Sequence, residues 1–348
     1  MLPKTETEAR SLDTVRPRSS EVSTLVPTQK VTSQPDRDEG VESTELALSR
    51  HLKREREGRE KEGKPEALKK GKHERRDFFA EAAAFTPIVS AQDRSGRTFL
   101  VGAGDRGDAR MLFTKRDTVA GRSLRLAVDH LKQVAPLPDR SRFLDTGAET
   151  GIAAVLAIQE HGFNSAIALE PNPGMYRLLS ANRALNDLED RIETIQIEPK
   201  SGTTLVLRYG KRGWCDYQSA SGEDAAAAVS KGKAVEVRSA SLDELVAHGS
   251  LDPSSAALVR ISVRPDPAAV LEGMRESVPN VAILLELDQR VLGDRASVTK
   301  LDTAIAEHFS RGVAMMGLSE EGPVPQEGIA ELAGAGDVKT ASVLALGR

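Results

Sequence analysis

Hydrophobic positions follow two regimes along the chain. Up to about residue 75 they keep no lasting period. From Phe143 onward, short apolar runs alternate with stretches of helical spacing. "RFLDT", "SAIALE" and "RIETIQI" read as strands, and "IAAVLAIQEHG" reads as a helix closed by Gly162. "NPGMYRLLSANRALN" opens with Asn172 as N-cap and Pro173 at the first helical position. Further on, "TTLVLRY" and "AVEVRSA" read as strands around a Gly/Ala/Ser-rich loop. "SLDE" is a capping box, opening a short helix that ends at Gly249. "ALVRISV" and "VAILLEL" are strands, and "PAAVLEGMRESV" is a helix between them. "ASVTKLDTAIAEHFSRG" is a long amphipathic helix, and "VAMMGL" and "TASVLAL" form a final strand pair. This alternation predicts an α/β fold with a mostly parallel sheet covered by helices on both faces.

Upstream of that pattern, "RTFLVGAGDRGDARMLFT" reads as two short strands around a Gly-Asp turn. "TVAGRSLRLAVDHLKQVAP" places Leu124, Val128, Leu131 and Val134 at helical spacing, and Pro136 stops it.

Composition changes the picture mainly at the N-terminus. Only 39% of the 348 residues are hydrophobic and 3% aromatic, low for a chain folded from end to end. Residues 1–75 are therefore expected to form a disordered charged arm, with order beginning near Phe78 and one domain over 76–348. The stretch "LKREREGREKEGKPEALKKGKHERR" interleaves both signs without aromatics. It reads as a solvated linker, with a transient helix around Leu46 to Leu52, rather than a nucleic-acid arm. A net charge of −4 points to neither nucleic acid nor an acidic partner. The lone Cys215 excludes an intrachain disulfide and a cysteine-cluster zinc site, and no cluster has metal-ligand spacing. No signal segment or membrane span is visible, so a cytoplasmic location is expected.

Two glycine loops compete for a cofactor. "GAGDRG", residues 102–107, matches G-x-G-x-x-G, but a strand is expected after it, leaving no helix N-terminus for a pyrophosphate. "DTGAETG" follows a strand and precedes a helix. Glu170 ends the next strand, where a carboxylate can accept both ribose hydroxyls. Asp145 and Glu149 bring anions to this loop. Anions repel a dinucleotide's phosphates but suit S-adenosylmethionine, which carries an ammonium and a sulfonium.

Three blocks extend this reading: "FLDTGAETG", "IALEPNPGMYRLLSANRALNDLEDRIETI" and "SLDELVAHGSLDPSSAALVRISVRPDPAAVLEGMRESV". Through them, residues from about 110 to 290 resemble the FkbM family of S-adenosylmethionine-dependent methyltransferases. The second block is the most specific, with its acid-Pro-Asn-Pro start, aromatic-Leu-Leu step and Asn-x-x-x-Asn end. The resemblance implies a Rossmann-like class I methyltransferase fold, with a seven-stranded sheet whose last strand is antiparallel. It implies a cofactor site of Asp145, Thr146, Gly147, Ala148, Glu149, Gly151, Glu170, Pro171 and Asn172. The implied activity is O-methylation of a hydroxyl on a sugar or secondary metabolite.

Departures fall on the substrate side. Glu149 stands where the family usually has asparagine. In "RISVRPDP", Ser262 replaces an expected Asp, Arg264 and Pro265 replace Glu-Gly, and Pro267 stands near the later acid. Asp266 is a partial substitute by a small shift. Ser262 and Arg264 are thus the substrate-side candidates, and Arg264 would favour an acceptor with negative charge. His161, His130 and His248 are expected at the surface, and Asp243 as a first-turn helix acid. Trp214, Asp216 and Tyr217 are either a substrate lid or a packed loop anchor. No catalytic residue is identified. Two functions stay open: a methyltransferase acting on a small hydroxylated molecule, or a degenerate methyltransferase-like domain used for binding or scaffolding.

Overall fold

The computed structural model describes residues 66–348 except 203, 211–212, 221–222, 264–265, 335–339 and 348. The arm expected over 1–75 therefore lies outside the described residues up to 65. Its last ten residues belong instead to helix α1, Glu66–Ala82. That segment is rich in Glu, Ala, Lys and Arg, all good helix formers. Phe79 anchors it, buried against Phe113.

Strands β1 (Ile88–Gln92) and β2 (Thr98–Gly102) form an antiparallel hairpin. The segment "DARMLFT" is helix α2, Asp108–Lys115, rather than the strand its apolar run suggested. Its buried residues Ala109 and Leu112 are three apart, a helical spacing inside a run too short to show its period. Helix α3, Val119–Val134, follows with Thr118 as N-cap. Its buried stripe is Ala120, Leu124, Ala127 and Val128; Val134 has turned out to solvent.

The central sheet begins with β3 (Arg142–Thr146), α4 (Ile152–Gln159), β4 (Ser165–Leu169), α5 (Pro173–Leu185) and β5 (Ile192–Ile195). A separate antiparallel sheet of β6 (Thr204–Gly210), β7 (Gly213–Ala220) and β8 (Ala234–Arg238) comes next, in the order β7-β6-β8. The loop expected between β6 and β8 is in fact β7 and helix α6, Glu223–Ser230. The chain returns to the main sheet through α7 (Leu242–Ala247), whose capping box between Ser241 and Glu244 is formed as expected. Then come β9 (Ala256–Ile261), α8 (Pro267–Glu272), β10 (Ala282–Asp288), α9 (Gln289–Leu292) and α10 (Arg295–His308). The last elements are β11 (Val313–Ser319), β12 (Gly322–Gln326), α11 (Ile329–Gly334) and β13 (Thr340–Gly347).

The strand order is β12-β11-β13-β10-β9-β3-β4-β5. Strands β10, β9, β3, β4 and β5 pair in parallel, and β13 runs antiparallel between β10 and β11. This is the Rossmann-like class I methyltransferase arrangement. An eighth strand, β12, is added to the expected seven as a hairpin on β11. Side chains alternate across the sheet, as a strand buried on both faces requires. Phe143, Leu258 and Leu284 enter one core, while Leu144, Val259 and Leu285 enter the other. Among the described residues no helix is long and apolar enough to cross a membrane.

Candidate active site

The sheet order reverses between β3 and β9, and ligands of open α/β sheets bind outside the carboxyl ends of strands at such a switch point. A cavity of about 670 Å3 lies there. Of the expected residues, Gly147, Glu149, Pro171 and Ser262 line it. Asp145, Thr146, Ala148, Gly151, Glu170 and Asn172 stand buried behind that wall. Arg264 and Pro265 lie outside the described residues.

The glycine loop is shaped by close packing. Gly147 and Gly151 both have φ of +78°. A Cβ on Gly147 would lie 2.7 Å from the Ser262 carbonyl oxygen, and one on Gly151 would strike Leu179. The loop thus touches β9 on one side and α5 on the other. Several of its donors are already used: the Gly147 and Ala148 N–H groups bond to the Leu169 carbonyl, and Gly151 N–H to that of Ala148. Glu149 N–H bonds to Glu170 Oε2 at 2.8 Å. These four N–H groups are therefore withheld from a pyrophosphate. Glu149 itself has φ of +51°, a left-handed conformation that asparagine adopts at less cost than glutamate.

The Asn-x-x-x-Asn end of the second block has a mechanical role. Asn182 accepts from Leu100 N–H and donates to the carbonyls of Leu100 and Thr150. Asn186 donates to the Thr98 carbonyl. Together they pin the β1–β2 hairpin to α5, and Asn182 also reaches the glycine loop.

Glu170 is completely buried and has three protein donors. Its Oε1 accepts from Asn172 N–H at 2.8 Å and from the Tyr217 hydroxyl at 3.1 Å; Oε2 accepts from Glu149 N–H. Burial pushes its carboxyl up to about 8, despite the Asn172 N–H bond. Tyr217, and not Glu170, lines the cavity. It lies on β7, so this part of the irregular middle is a strand at the site. Glu198, just beyond β5, also lines the cavity. It is buried, and burial raises its carboxyl to about 7 against the pull of Lys200.

The other wall centres on Arg260, which the sequence reading did not single out. Arg260 is buried on β9 and bonds Asp145 Oδ1 at 2.7 Å and Glu286 Oε2 at 2.6 Å, with a second bond to Glu286 Oε1 at 3.1 Å. Ser123 and Ser262 hydroxyls also donate to Glu286. Arg260 holds the Glu286 carboxyl below its ordinary value against burial; burial dominates at Asp145 and pushes it up. Asp145 Oδ2 is buried without a partner. The readable signal was a cation inside "ALVRIS", a strand otherwise apolar on both faces.

The cavity's outer edge carries Asp105, Arg106, Gly107 and Asp108. A helix does follow "GAGDRG", so the reason given for rejecting that loop is overturned. Another reason replaces it. Strand β2 belongs to a hairpin outside the parallel sheet. The N-terminal donors of α2 already meet an anion: Asp105 accepts from Gly107 N–H at 2.7 Å and from Ala109 N–H at 3.0 Å. Asp108 accepts from Val119 and Ala120 N–H at the start of α3. Burial, then Glu286, raises the Asp108 carboxyl to about 6.

Other expected residues lie elsewhere. His161 is buried rather than at the surface, and burial lowers its pKa. His130 is half-buried and His248 exposed. Asp243 does more than face a helix dipole, since it accepts from Ser277 N–H at 2.8 Å. Asp266 is the N-cap of α8 and pairs with Lys200 and Lys300, so it does not replace the missing acid.

No family model matches the chain. The methyltransferase sdnD of Sordaria araneosa is 33% identical over 82 residues, which cover 23% of this chain and 32% of that protein. The match thus spans about a third of the length of that curated relative. TYW2 of P. horikoshii, solved with MeSAdo, superposes with a TM-score of 0.39 at 11% identity, covering 82% of this chain and 86% of that one. The FkbM methyltransferase of Methylobacillus flagellatus gives 0.37 at 11% identity, over 60% and 44% of the two chains. At such scores the fold assignment rests on the strand order itself, and by that order the chain has the class I methyltransferase fold.

Proposed function

We propose that the protein is an S-adenosylmethionine-dependent methyltransferase acting on a hydroxyl of a small molecule, such as a sugar or secondary metabolite. The carrying observation is a cavity at the strand-order reversal with more acids than arginines in its lining, beside a glycine loop most of whose N–H groups are already bonded. Such a site suits a cationic, phosphate-free cofactor. When bound, S-adenosylmethionine supplies an electrophilic methyl group. Glu170 would hold the ribose and Glu198 the amino group of the adenine end. Asp145, with one unpartnered buried oxygen, would favour positive charge at the methionine end.

A hydroxyl acceptor needs somewhere to leave its proton. Glu286 is a poor choice: each oxygen already takes two donors, from Ser123, Arg260 and Ser262, which fills its acceptor sites. Asp108 keeps one lone pair free on each oxygen and lines the cavity. Its raised carboxyl is matched to accepting a proton near neutral pH. Asp108 is therefore the proposed base. Ser262, on the same wall as Arg260, would orient the acceptor. Arg264, with Pro265, would bias the site toward anionic acceptors.

The test is transfer of labelled methyl over a panel of hydroxylated acceptors, neutral and anionic, by the natural protein and by Asp108→Asn. Asp108→Asn should lower turnover by about 100-fold or more, as for loss of a general base. Turnover by neither protein on any acceptor, with cofactor binding intact, would favour a binding or scaffolding role.

A further inference from the structure

Glu170 is the residue on which ribose recognition depends in the proposed function, and it does not reach the cavity. The accounting of its lone pairs shows why. A carboxylate has about four acceptor sites. Oε1 uses two, for Asn172 N–H and the Tyr217 hydroxyl; Oε2 uses one, for Glu149 N–H. Two ribose hydroxyls need two sites, and one is left. The two backbone donors are fixed by the glycine loop and by the turn into α5. Tyr217 is the donor that can leave.

We infer that Tyr217 is a stand-in for a ribose hydroxyl, closing the nucleoside end of the site until the cofactor displaces it from Glu170. This inference rests on the proposed function and adds the residue that sets cofactor affinity. Three features support it. Tyr217 forms cavity wall directly over Glu170. Burial, and then its acidic neighbours Glu170, Glu149 and Glu198, hold the phenol well above its ordinary value, so it remains a donor. Its strand β7 is the edge of the β7-β6-β8 sheet, and its ladder runs to β6. Moving it outward breaks no pairing of the central sheet.

The account makes Tyr217 a competitor rather than a contact. A competitor lowers apparent affinity by the fraction of molecules in the open form. Removing its hydroxyl should therefore tighten binding, where removing an ordinary contact would weaken it.

The chain's sole tryptophan, Trp214, lies on the same strand and reports on it. S-adenosylhomocysteine is titrated into the natural protein, Tyr217→Phe and Tyr217→Ala, by calorimetry and by tryptophan emission, with thermal melts confirming that each is folded. Tyr217→Phe should bind about three- to tenfold tighter, the net effect of one hydrogen bond. Trp214 emission should change on binding to the natural protein. Binding seen only in the variants would support the inference and the cofactor assignment together. Equal or weaker binding by Tyr217→Phe, with the natural protein binding normally, would overturn the inference and leave the cofactor assignment standing. No binding by any of the three would overturn both.

Discussion

On one wall of the cavity, Glu149, Glu170 and Glu198 lie close together. Glu170 is satisfied by backbone N–H groups and a tyrosine. On the other wall, Asp145 and Glu286 share Arg260. On the first wall burial raises the carboxyls, up to about 8 at Glu170 and about 7 at Glu198. The second carries its own permanent cation, and Glu286 stays ionised. A wall of the first kind gains when hydroxyl donors or positive charge arrive. On the second wall Glu286 has its acceptor sites filled and serves as framework, while Asp145 keeps one unpartnered oxygen. The cofactor's side and the acceptor's side thus differ in what they lack.

The sharpest way to break this contrast is at Arg260. Arg260→Met leaves two buried carboxylates without their cation and should cost about 3–5 kcal/mol of stability, measured by denaturant unfolding. A loss under about 1 kcal/mol would show that the pair does not hold the acceptor wall together. On the opposite wall, Glu170→Ala should weaken S-adenosylmethionine binding by about 1–3 kcal/mol, the worth of hydrogen bonds to a charged group.

Acidity separates the walls next. Glu170, Glu198 and Asp108 lie at about 8, about 7 and about 6, above their ordinary values of 4.5, 4.5 and 3.8. Between those limits the native state binds more protons than the unfolded state, so their contribution to stability falls as pH rises. The ligand-free protein should therefore melt several degrees lower at about pH 8.5 than at about pH 5.5. A rising melting point over that range would contradict burial as the cause. A smaller effect is expected at Glu149. Glu149→Asn relieves a left-handed glutamate and removes one acid beside Glu170, and should add about 1 kcal/mol in the same unfolding assay.

The parallel half of the fold was legible because its signals are local and redundant. The cap at Asn172, the box at Ser241 and the two-faced apolar strands each point to one element. What escaped was set by tertiary context. The α2 segment is too short for its period to declare itself, and β7 is polar enough to pass for a loop. His161 is buried by packing that no local pattern announces. In the site, the glycine loop and Glu170 were readable from order along the chain. Arg260 was visible as an oddity in an apolar strand, but its partners come from residues 115 positions before it and 26 after. Tyr217 was noted within the middle segment, while its bond to Glu170 exists only in three dimensions.

Calorimetry of the purified protein with S-adenosylmethionine and, separately, NAD tests the reading of the cavity most directly. Saturable binding of S-adenosylmethionine at micromolar concentration, lost or weakened in Glu170→Ala and not matched by NAD, is the predicted result. Micromolar NAD binding with no response to S-adenosylmethionine in the natural protein and in Tyr217→Phe would contradict it.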